Sequence, residues 1–376
     1  MRNGWEYKKL GDLCQTCSGG TPSKSHSEYY EGGKIPWLRS GEVAQGDIYK
    51  TELLITELGL ANSSAKIVPP ETVCVTMYGA TIGEVGVIKT SMCTNQAICN
   101  ILPNDHFNPH FLRYFLMGKK NWYLSIAAGG AQPNISQDVI RKTLVPTISM
   151  QSQLAIVSEL DKINELIRLK KEQLIEYNNL AQSIFYEMFG DPVENEKGWE
   201  VKKLSDVSTL LNGRAYQQKE LQDIGKYKVL RVGNFFTNAN FYYSDLELEA
   251  NKYCDDGDLL FAWSASFGAF IWNGGKVIYH YHIWKVLFDL TKLNIHYYRY
   301  LLNTMTSYFM KDVHGIGMVH LTKNGMEQYQ LPIPPLPLQQ SFASRIEQIE
   351  KLKSEVQNAI TDLETLLASR MQYWFE

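Results

Sequence analysis

The residues whose types and spacing suggest chemistry are few. Cys14-Gln15-Thr16-Cys17 has the spacing of half a zinc site. The other cysteines, Cys74, Cys93, Cys99 and Cys254, supply no second pair at zinc-finger distance, so free thiols are the expectation. His280-Tyr281-His282 would set two imidazoles on one face of an extended strand, with no clear third ligand. His314-Gly315-Ile316-Gly317 resembles a glycine-rich nucleotide loop, but Ala128-Gly129-Gly130-Ala131 matches it in an internal repeat and argues for a repeated loop shape. No G-x-x-x-x-G-K-[ST] phosphate loop occurs. The expectation is a chain with no catalytic residue, no metal and no cofactor of its own.

A different chemistry fits the polar, glycine-punctuated segments. Reading base edges in a groove needs side chains with paired donors and acceptors, presented on loops. In the first third of the chain the candidates are Ser18, Gly19, Gly20, Thr21, Ser23, Lys24, Arg39, Ser40, Tyr78, Thr81, Asn95 and Gln96, followed by Gln132 and Asn134. Further on they are Arg214, Tyr216, Lys219, Arg231, Asn234, Ser264, Ser266, His282, His314 and His320. The plain alternative is that glycines with Ser, Thr and Asn simply form turns. Trp37, Trp263 and Trp272 read as core.

Those loops need elements to hold them, and the elements come in two copies. Trp5-Glu6-Tyr7-Lys8-Lys9-Leu10-Gly11-Asp12 recurs as Trp199-Glu200-Val201-Lys202-Lys203-Leu204-Ser205-Asp206, an offset of 194. Asn108-Pro109-His110-Phe111-Leu112-Arg113-Tyr114 recurs as Asn294-Ile295-His296-Tyr297-Tyr298-Arg299-Tyr300, an offset of 186. Ile135-Ser136 falls on Leu321-Thr322, Pro146 on Pro332, Gln153 on Gln339 and Phe189 on Phe375. The shift of eight residues in the offset places an insertion in the first copy between about 12 and 95.

Each copy opens with a mixed segment of short β-type runs, such as Val73–Met77 and Leu259–Trp263, and closes on prolines near Val145-Pro146 and Leu331–Pro335. A heptad seam follows. In the first copy it runs Ile156, Leu160, Ile163, Ile167, Lys170, Leu174, Tyr177, Ala181, Ile184, Met188. In the second it runs Phe342, Ile346, Ile349, Lys353, Val356, Ile360, Leu363, Leu367, Arg370, Trp374. Alternating steps of four and three predict coiled-coil helices of roughly 40 residues, about 60 Å long. The first helix leads away from the first mixed segment and the second runs back, so the pair is expected to be antiparallel, with the mixed domains at opposite ends and a pseudo-twofold axis between the copies. The expected fold is α+β: a first mixed α/β domain over 1–148, a helix over 149–190, a second domain with its entry loop over 191–335 and a helix over 336–376.

Charge sets a limit on this reading. The chain of 376 residues carries a net charge of −3. Residues 1–148 have 14 basic and 12 acidic side chains and residues 199–335 have 14 and 13, nets of +2 and +1. A protein gripping DNA by charge alone would be far more basic, so if this chain reads DNA a partner is expected to supply much of the phosphate grip. No apolar run approaches a membrane span and the start lacks a secretory pattern, so a cytoplasmic protein with no membrane partner is expected.

The order of several strings resembles the specificity subunits of Type I restriction-modification systems over essentially the whole chain. They are Gly33-Lys34-Ile35-Pro36-Trp37-Leu38-Arg39-Ser40-Gly41-Glu42, Tyr78-Gly79-Ala80-Thr81-Ile82-Gly83, Thr94-Asn95-Gln96-Ala97, Gln153–Leu160 and Phe185–Pro192. The resemblance implies two target-recognition domains, each reading half of a split double-stranded DNA target. It also implies helices that dock two modification subunits, which bind S-adenosylmethionine and methylate adenine, and restriction subunits that use ATP and Mg. Outer-face residues Glu165, Arg168, Lys171, Glu172 and Glu176 would then belong to the docking surface. This chain has no Asn-Pro-Pro-aromatic motif of adenine methyltransferases, Asn108-Pro109-His110-Phe111 being the nearest string. Two other classes compete: an enzyme that modifies or cuts its own target, and a non-catalytic scaffold whose paired domains bind protein.

Overall fold

The computed structural model describes residues 4–128, 133–237, 239–312 and 321–375. Four helices matter below: α1 (Pro109–Gly118), α2 (Met150–Phe189), α3 (Ile295–Thr304) and α4 (Leu336–Phe375). The two heptad segments form α2 and α4, each of 40 residues. Gly190, at φ +75°, takes the left-handed position that ends α2. No described helix is long and apolar enough to cross a membrane. The chain packs as two units, Met1–Lys171 with Ala359–Glu376, and Glu172–Asn358.

In unit 1 a five-stranded sheet runs in the order Thr16–Ser18, Ile98–Ile101, Val73–Thr76, Val85–Ile88, Asp47–Ile48. Its central strands are buried along their whole length, which is why they read as unbroken apolar runs. A second sheet orders Leu53–Ile55, Ile35–Leu38, Met92–Thr94 and Ile67–Val68. Glu6–Lys9 pairs with Leu144–Thr147, setting Tyr7 opposite Pro146. Asn108 caps α1 by accepting from the His110 and Phe111 amides, and Pro109 sits where no amide is needed. The apolar face of α1 packs Phe111, Leu112, Phe115 and Leu116 into a core with Val85, Val87, Ile156 and Leu160. Phe375 closes it, edge-on to Phe111 and Phe115 at 5.7 Å. Within the unit the helices run antiparallel: Glu159 pairs with Arg370, and Lys171, further along α2, meets Glu364, earlier in α4, at 2.8 Å.

Unit 2 repeats the plan. Its main sheet orders Ser208–Asn212, Ile283–Phe288, Leu259–Ser264 and Ser266–Ile271. The second orders Tyr242–Ser244, Tyr227–Leu230, Val277–Tyr279 and Tyr253–Cys254. Glu200–Lys203 pairs with Gln330–Ile333, with Val201 opposite Pro332. Asn294 caps α3 as Asn108 caps α1. Phe185 and Phe189 of α2 pack on Phe342 of α4 at 5.7 and 5.3 Å. The fifth strand of unit 1, Asp47–Ile48, has no counterpart among the described residues of unit 2.

The heptad positions line the helix contacts in each unit. Ile156, Leu160, Ile163, Ile167, Phe342, Ile346, Ile349, Val356 and Ile360 are buried, while Leu174, Ile184, Met188, Leu363 and Leu367 are half-buried. One expectation is corrected: Tyr281-His282 is a turn that carries the chain from Val277–Tyr279 in the second sheet to Ile283–Phe288 in the main sheet, so His280, bridged to Arg214, and His282 do not share one strand face.

Candidate nucleic-acid interface

In unit 1 several sequence candidates gather at one end of the main sheet. The Gly19 amide donates to Ile98 O (3.3 Å) and the Gly20 amide to Thr94 O (2.9 Å), which fastens the Ser18–Thr21 loop to the Thr94–Ala97 turn. A Cβ on Gly19 would stand 2.1 Å from Thr94 O and one on Gly20 2.2 Å from the Ala65 amide, so only glycine allows this approach. Met77 donates to Ala97 O (2.8 Å) and accepts from the Ile135 amide (2.9 Å), bringing Tyr78 and Asn134 to the same end. Tyr78 and Asn134 are exposed, and so is Gln96, which accepts from the Thr21 hydroxyl. The Ser18 hydroxyl donates to Gln137 (2.9 Å), Thr81 donates to Tyr78 O (3.0 Å) and the Asn95 side chain accepts from the Ala97 amide (3.2 Å). Ser23 and Lys24 are exposed just beyond the loop, with Ser23 bonded to Ser25. Gln132 lies outside the described residues.

Arg39 and Ser40 follow the strand Ile35–Leu38, whose Leu38 carbonyl accepts from the Asn95 amide at 2.9 Å. The Arg39 guanidinium is held by the buried Glu42 (3.4 Å) and by Glu52. Its positive charge is thus paired within the unit, on a half-exposed surface. Glu42, Glu52 and Gln137 were not among the sequence candidates; the three-residue spacing of Arg39 and Glu42 was the local signal for the first.

Unit 2 brings its candidates to the equivalent sheet end. Trp263 O accepts from the Leu321 amide (3.1 Å) as Met77 O accepts from Ile135. Arg214 forks onto Glu220 through two bonds, 3.0 and 2.8 Å, and lies 5.2 Å from the Tyr216 ring, so it too is committed internally. Tyr216 stacks near His280 at 6.2 Å, and Lys219 is exposed in the Gln218–Glu220 turn. Ser264 is buried and offers the surface nothing; Ser266 is half-buried. Trp263 is half-buried, donates from Nε1 to Tyr281 O (2.9 Å) and stands edge-on to His282 at 5.2 Å. His280 and His282 lie 4.8 Å apart. Burial, with His282 and Arg231 beside it, pushes the His280 imidazole down to about 4, so it is neutral near pH 7 and both gives and takes hydrogen bonds. Arg231, Asn234, His280 and His282 line one concavity of about 440 Å³. His314 and His320 lie outside the described residues. Among the described residues no group of three or more His, Cys, Asp or Glu is placed to hold a metal ion.

The long helices carry a second feature that pattern reading passed over. Leu166 and Leu180 of α2 are exposed, and the offset of 186 places Leu352 and Leu366 of α4, also exposed, at the same repeat positions. They stand two heptads apart in each helix, off the buried seam.

Two divergent readers on one repeated plan, with long helices, define a class of DNA-specificity protein, and known proteins agree. The family model for the Type I restriction modification DNA specificity domain matches residues 2–178 and again 196–364. The chain therefore belongs to the Type I restriction-modification DNA specificity family, as a specificity subunit with two target-recognition domains. It is 28% identical over 383 residues to the Type I restriction enzyme MjaIX specificity subunit of Methanocaldococcus jannaschii, covering 91% of this chain and 86% of that one. It is 27% identical over 192 residues to the EcoR124I/EcoR124II specificity subunit of Escherichia coli, covering 50% of this chain and 47% of the relative. Two solved structures share the fold. One is a chain from a study of complex assembly and conformational transition of the type I R-M system (TM-score 0.63, 16% identity, 100% and 98% of the two chains covered). The other is the S subunit of the Type-I restriction-modification system from M. genitalium (TM-score 0.55, 12% identity, 100% and 98% covered).

Proposed function

We propose that each recognition domain reads one half of a bipartite double-stranded DNA target, and that the chain itself performs no catalysis. The observation that carries this is the repeated sheet end: the same backbone frame, marked by the Met77–Ile135 bond in one unit and the Trp263–Leu321 bond in the other, presents different polar side chains. One frame with two side-chain sets suits two different half-sites. In unit 1 the reading set is Thr21, Tyr78, Gln96 and Asn134, with Ser18, Thr81 and Asn95 steering them; in unit 2 it is Arg231, Ser266 and His282, with Tyr216 and Lys219 alongside and Asn234 held internally as the cap that accepts from the Arg231 amide.

The long helices dock two modification subunits, and the exposed leucines at matching repeat positions support two equivalent docking sites. Methyl transfer to adenine from S-adenosylmethionine belongs to those subunits, and ATP- and Mg-dependent translocation and cleavage to restriction subunits. The complex works in the cytoplasm. The test is an exchange of residues 13–145 for the matching segment of a related subunit, followed by methylation mapping of a host genome. One half of the methylated motif should change while the other stays; an unchanged motif would contradict the reading.

A further inference from the structure

Arg39 and Arg231 occupy the same place in the repeat, and their surroundings differ in charge. Each follows a strand of its unit's second sheet, Ile35–Leu38 or Tyr227–Leu230, and each opens a helical turn. In each the side chain three residues on accepts from the arginine's own amide: Glu42 from Arg39 at 3.1 Å, Asn234 from Arg231 at 2.8 Å. The cap is conserved in geometry but changes from a carboxylate to an amide. Glu42, joined by Glu52, neutralises the Arg39 guanidinium. Asn234 cannot do so. Among the described residues no carboxylate forms an ion pair with Arg231, although Asp223 lines the same concavity. Arg231 is exposed and its guanidinium rests 5.1 Å from the Tyr242 ring centroid, which orients the cation without cancelling its charge.

We infer that Arg231 is a DNA-contacting cation of unit 2, whereas Arg39 holds the fold of unit 1, and that residue 42 or 234 sets which role the shared arginine takes. The inference rests on the DNA-reading function proposed above. The ligand chemistry is a pair of acceptor atoms that a planar guanidinium can fork onto: two phosphate oxygens, or O6 and N7 of a guanine edge. The remaining lining fits either. Asn240, His280 and His282 add polar groups around Arg231, and His280 is neutral near pH 7, so it neither repels the arginine nor competes for an anion.

The test uses the full chain with its methyltransferase subunit, on a duplex carrying the wild-type target assigned by methylation mapping. Arg231→Gln should weaken binding about ten-fold or more and lower the salt slope by about one. Asn234→Glu keeps the cap, as Glu42 shows, and supplies a carboxylate to Arg231; it loses the bond from Asn234 Nδ2 to Ala239 O (2.6 Å) and should still melt as a folded protein while losing DNA affinity to a similar extent. Arg39→Gln should leave affinity within about two-fold. If it lowers the melting temperature too far, Arg39→Lys keeps the charge on Glu42 and Glu52 and should bind DNA like the wild type. Loss of affinity with an unchanged methylated motif assigns the contact to phosphate; a motif relaxed at one position of one half-site assigns it to guanine. Wild-type affinity in Arg231→Gln, or an equal loss in a folded Arg39 variant, overturns the inference and leaves the DNA-reading function standing. A wild-type complex that binds no duplex overturns both.

Discussion

The Gln153 side chain, fully buried, accepts the Asn108 amide at 2.8 Å, and Gln339 accepts the Asn294 amide at the same 2.8 Å. Each glutamine also donates twice to backbone carbonyls: Gln153 to His106 and Ile148 (2.8 and 3.1 Å), Gln339 to Lys292 and Pro334 (3.2 and 2.7 Å). Each amide thus ties the start of a long helix to the cap of the helix that packs on the main sheet. The duplicated glutamine is a structural joint, set by the cost of leaving backbone groups unpaired away from water.

Gln153→Leu keeps the volume and removes all three bonds. Unpaired buried polar groups cost about 1–3 kcal/mol each, and partial relaxation should hold the total to roughly 2–4 kcal/mol. Gln339→Leu should cost a similar amount. Denaturant unfolding of each variant gives the figure; a change below about 0.5 kcal/mol, the range of ordinary surface substitutions, would show that water replaces the amide at no cost.

The chain leaving an inner strand of each main sheet, Val73–Thr76 or Leu259–Ser264, takes a left-handed residue in both units, at Gly79 (φ +69°) and Ala265 (φ +65°). Glycine takes this conformation freely, while a Cβ costs roughly 1–2 kcal/mol. Ala265→Gly should therefore raise stability, by about 1 kcal/mol or somewhat less because glycine also loosens the unfolded chain. Thermal unfolding checks the sign. A lower melting temperature for Ala265→Gly would mean that the alanine methyl makes contacts worth more than the strain.

His280 sets a pH dependence with a defined sign. Burial, then His282 and Arg231, lower its pKa from the ordinary 6.5 to about 4, so the unfolded chain binds its proton first. Stability from this residue is complete above about pH 6.5 and is lost as pH falls towards 4, with a limiting slope of about 1.4 kcal/mol per pH unit. Replacing His280 with Gln should flatten the stability profile over that window. Equal slopes for variant and wild type would show that the imidazole charges in place.

If the repeated leucines are the docking positions, Leu166→Lys and Leu352→Lys should each weaken capture of the methyltransferase subunit, and the double variant should abolish it. Both sites are exposed, so stability should change by less than about 0.5 kcal/mol. Stable variants that still assemble a full complex would move the docking surface elsewhere on the helices.

The long helices and the repeat were legible because their signals are local and periodic: a seam every three or four residues, and Asn108 and Asn294 at helix starts. The surroundings of the candidate reading residues were only partly legible. Arg39 and Arg214 look like free cations in the sequence, yet Glu52, 13 residues from Arg39, and Glu220, six from Arg214, hold them. Such pairings depend on how a loop closes, which composition does not encode. Burial is hidden in the same way: Ser264 ends its strand opposite Ser266 and is buried there. His280–His282 reads as extended because alternation continues across the turn at Tyr281-His282 that joins strands of two different sheets.

A final prediction concerns the first half of the chain alone. Unit 1 is completed by Ala359–Glu376, which brings Phe375 onto Phe111 and Phe115 and Arg370 onto Glu159. Residues 1–198 lack that segment, and Ile156, Leu160, Ile163 and Ile167 lose part of their cover, at roughly 1.5–3 kcal/mol for each side chain fully exposed. The repeat supplies a substitute. Residues 173–189 of α2 are the counterpart of 359–375 of α4, and in unit 2 Phe189 packs on Tyr297, the counterpart of Phe111, at 4.7 Å. A second copy of residues 1–198 can therefore lend its 173–189 to the first, and receive the same in return, in an antiparallel pair. Ile184 would stand where Arg370 stands, so the bond to Glu159 is lost and the pair should be weaker than the full chain. Sedimentation should find a dimer. With the methyltransferase subunit, its methylated target should be symmetric, the first half-site repeated in inverted orientation. A folded monomer, or a dimer that still marks the asymmetric target of the full chain, would contradict the exchange.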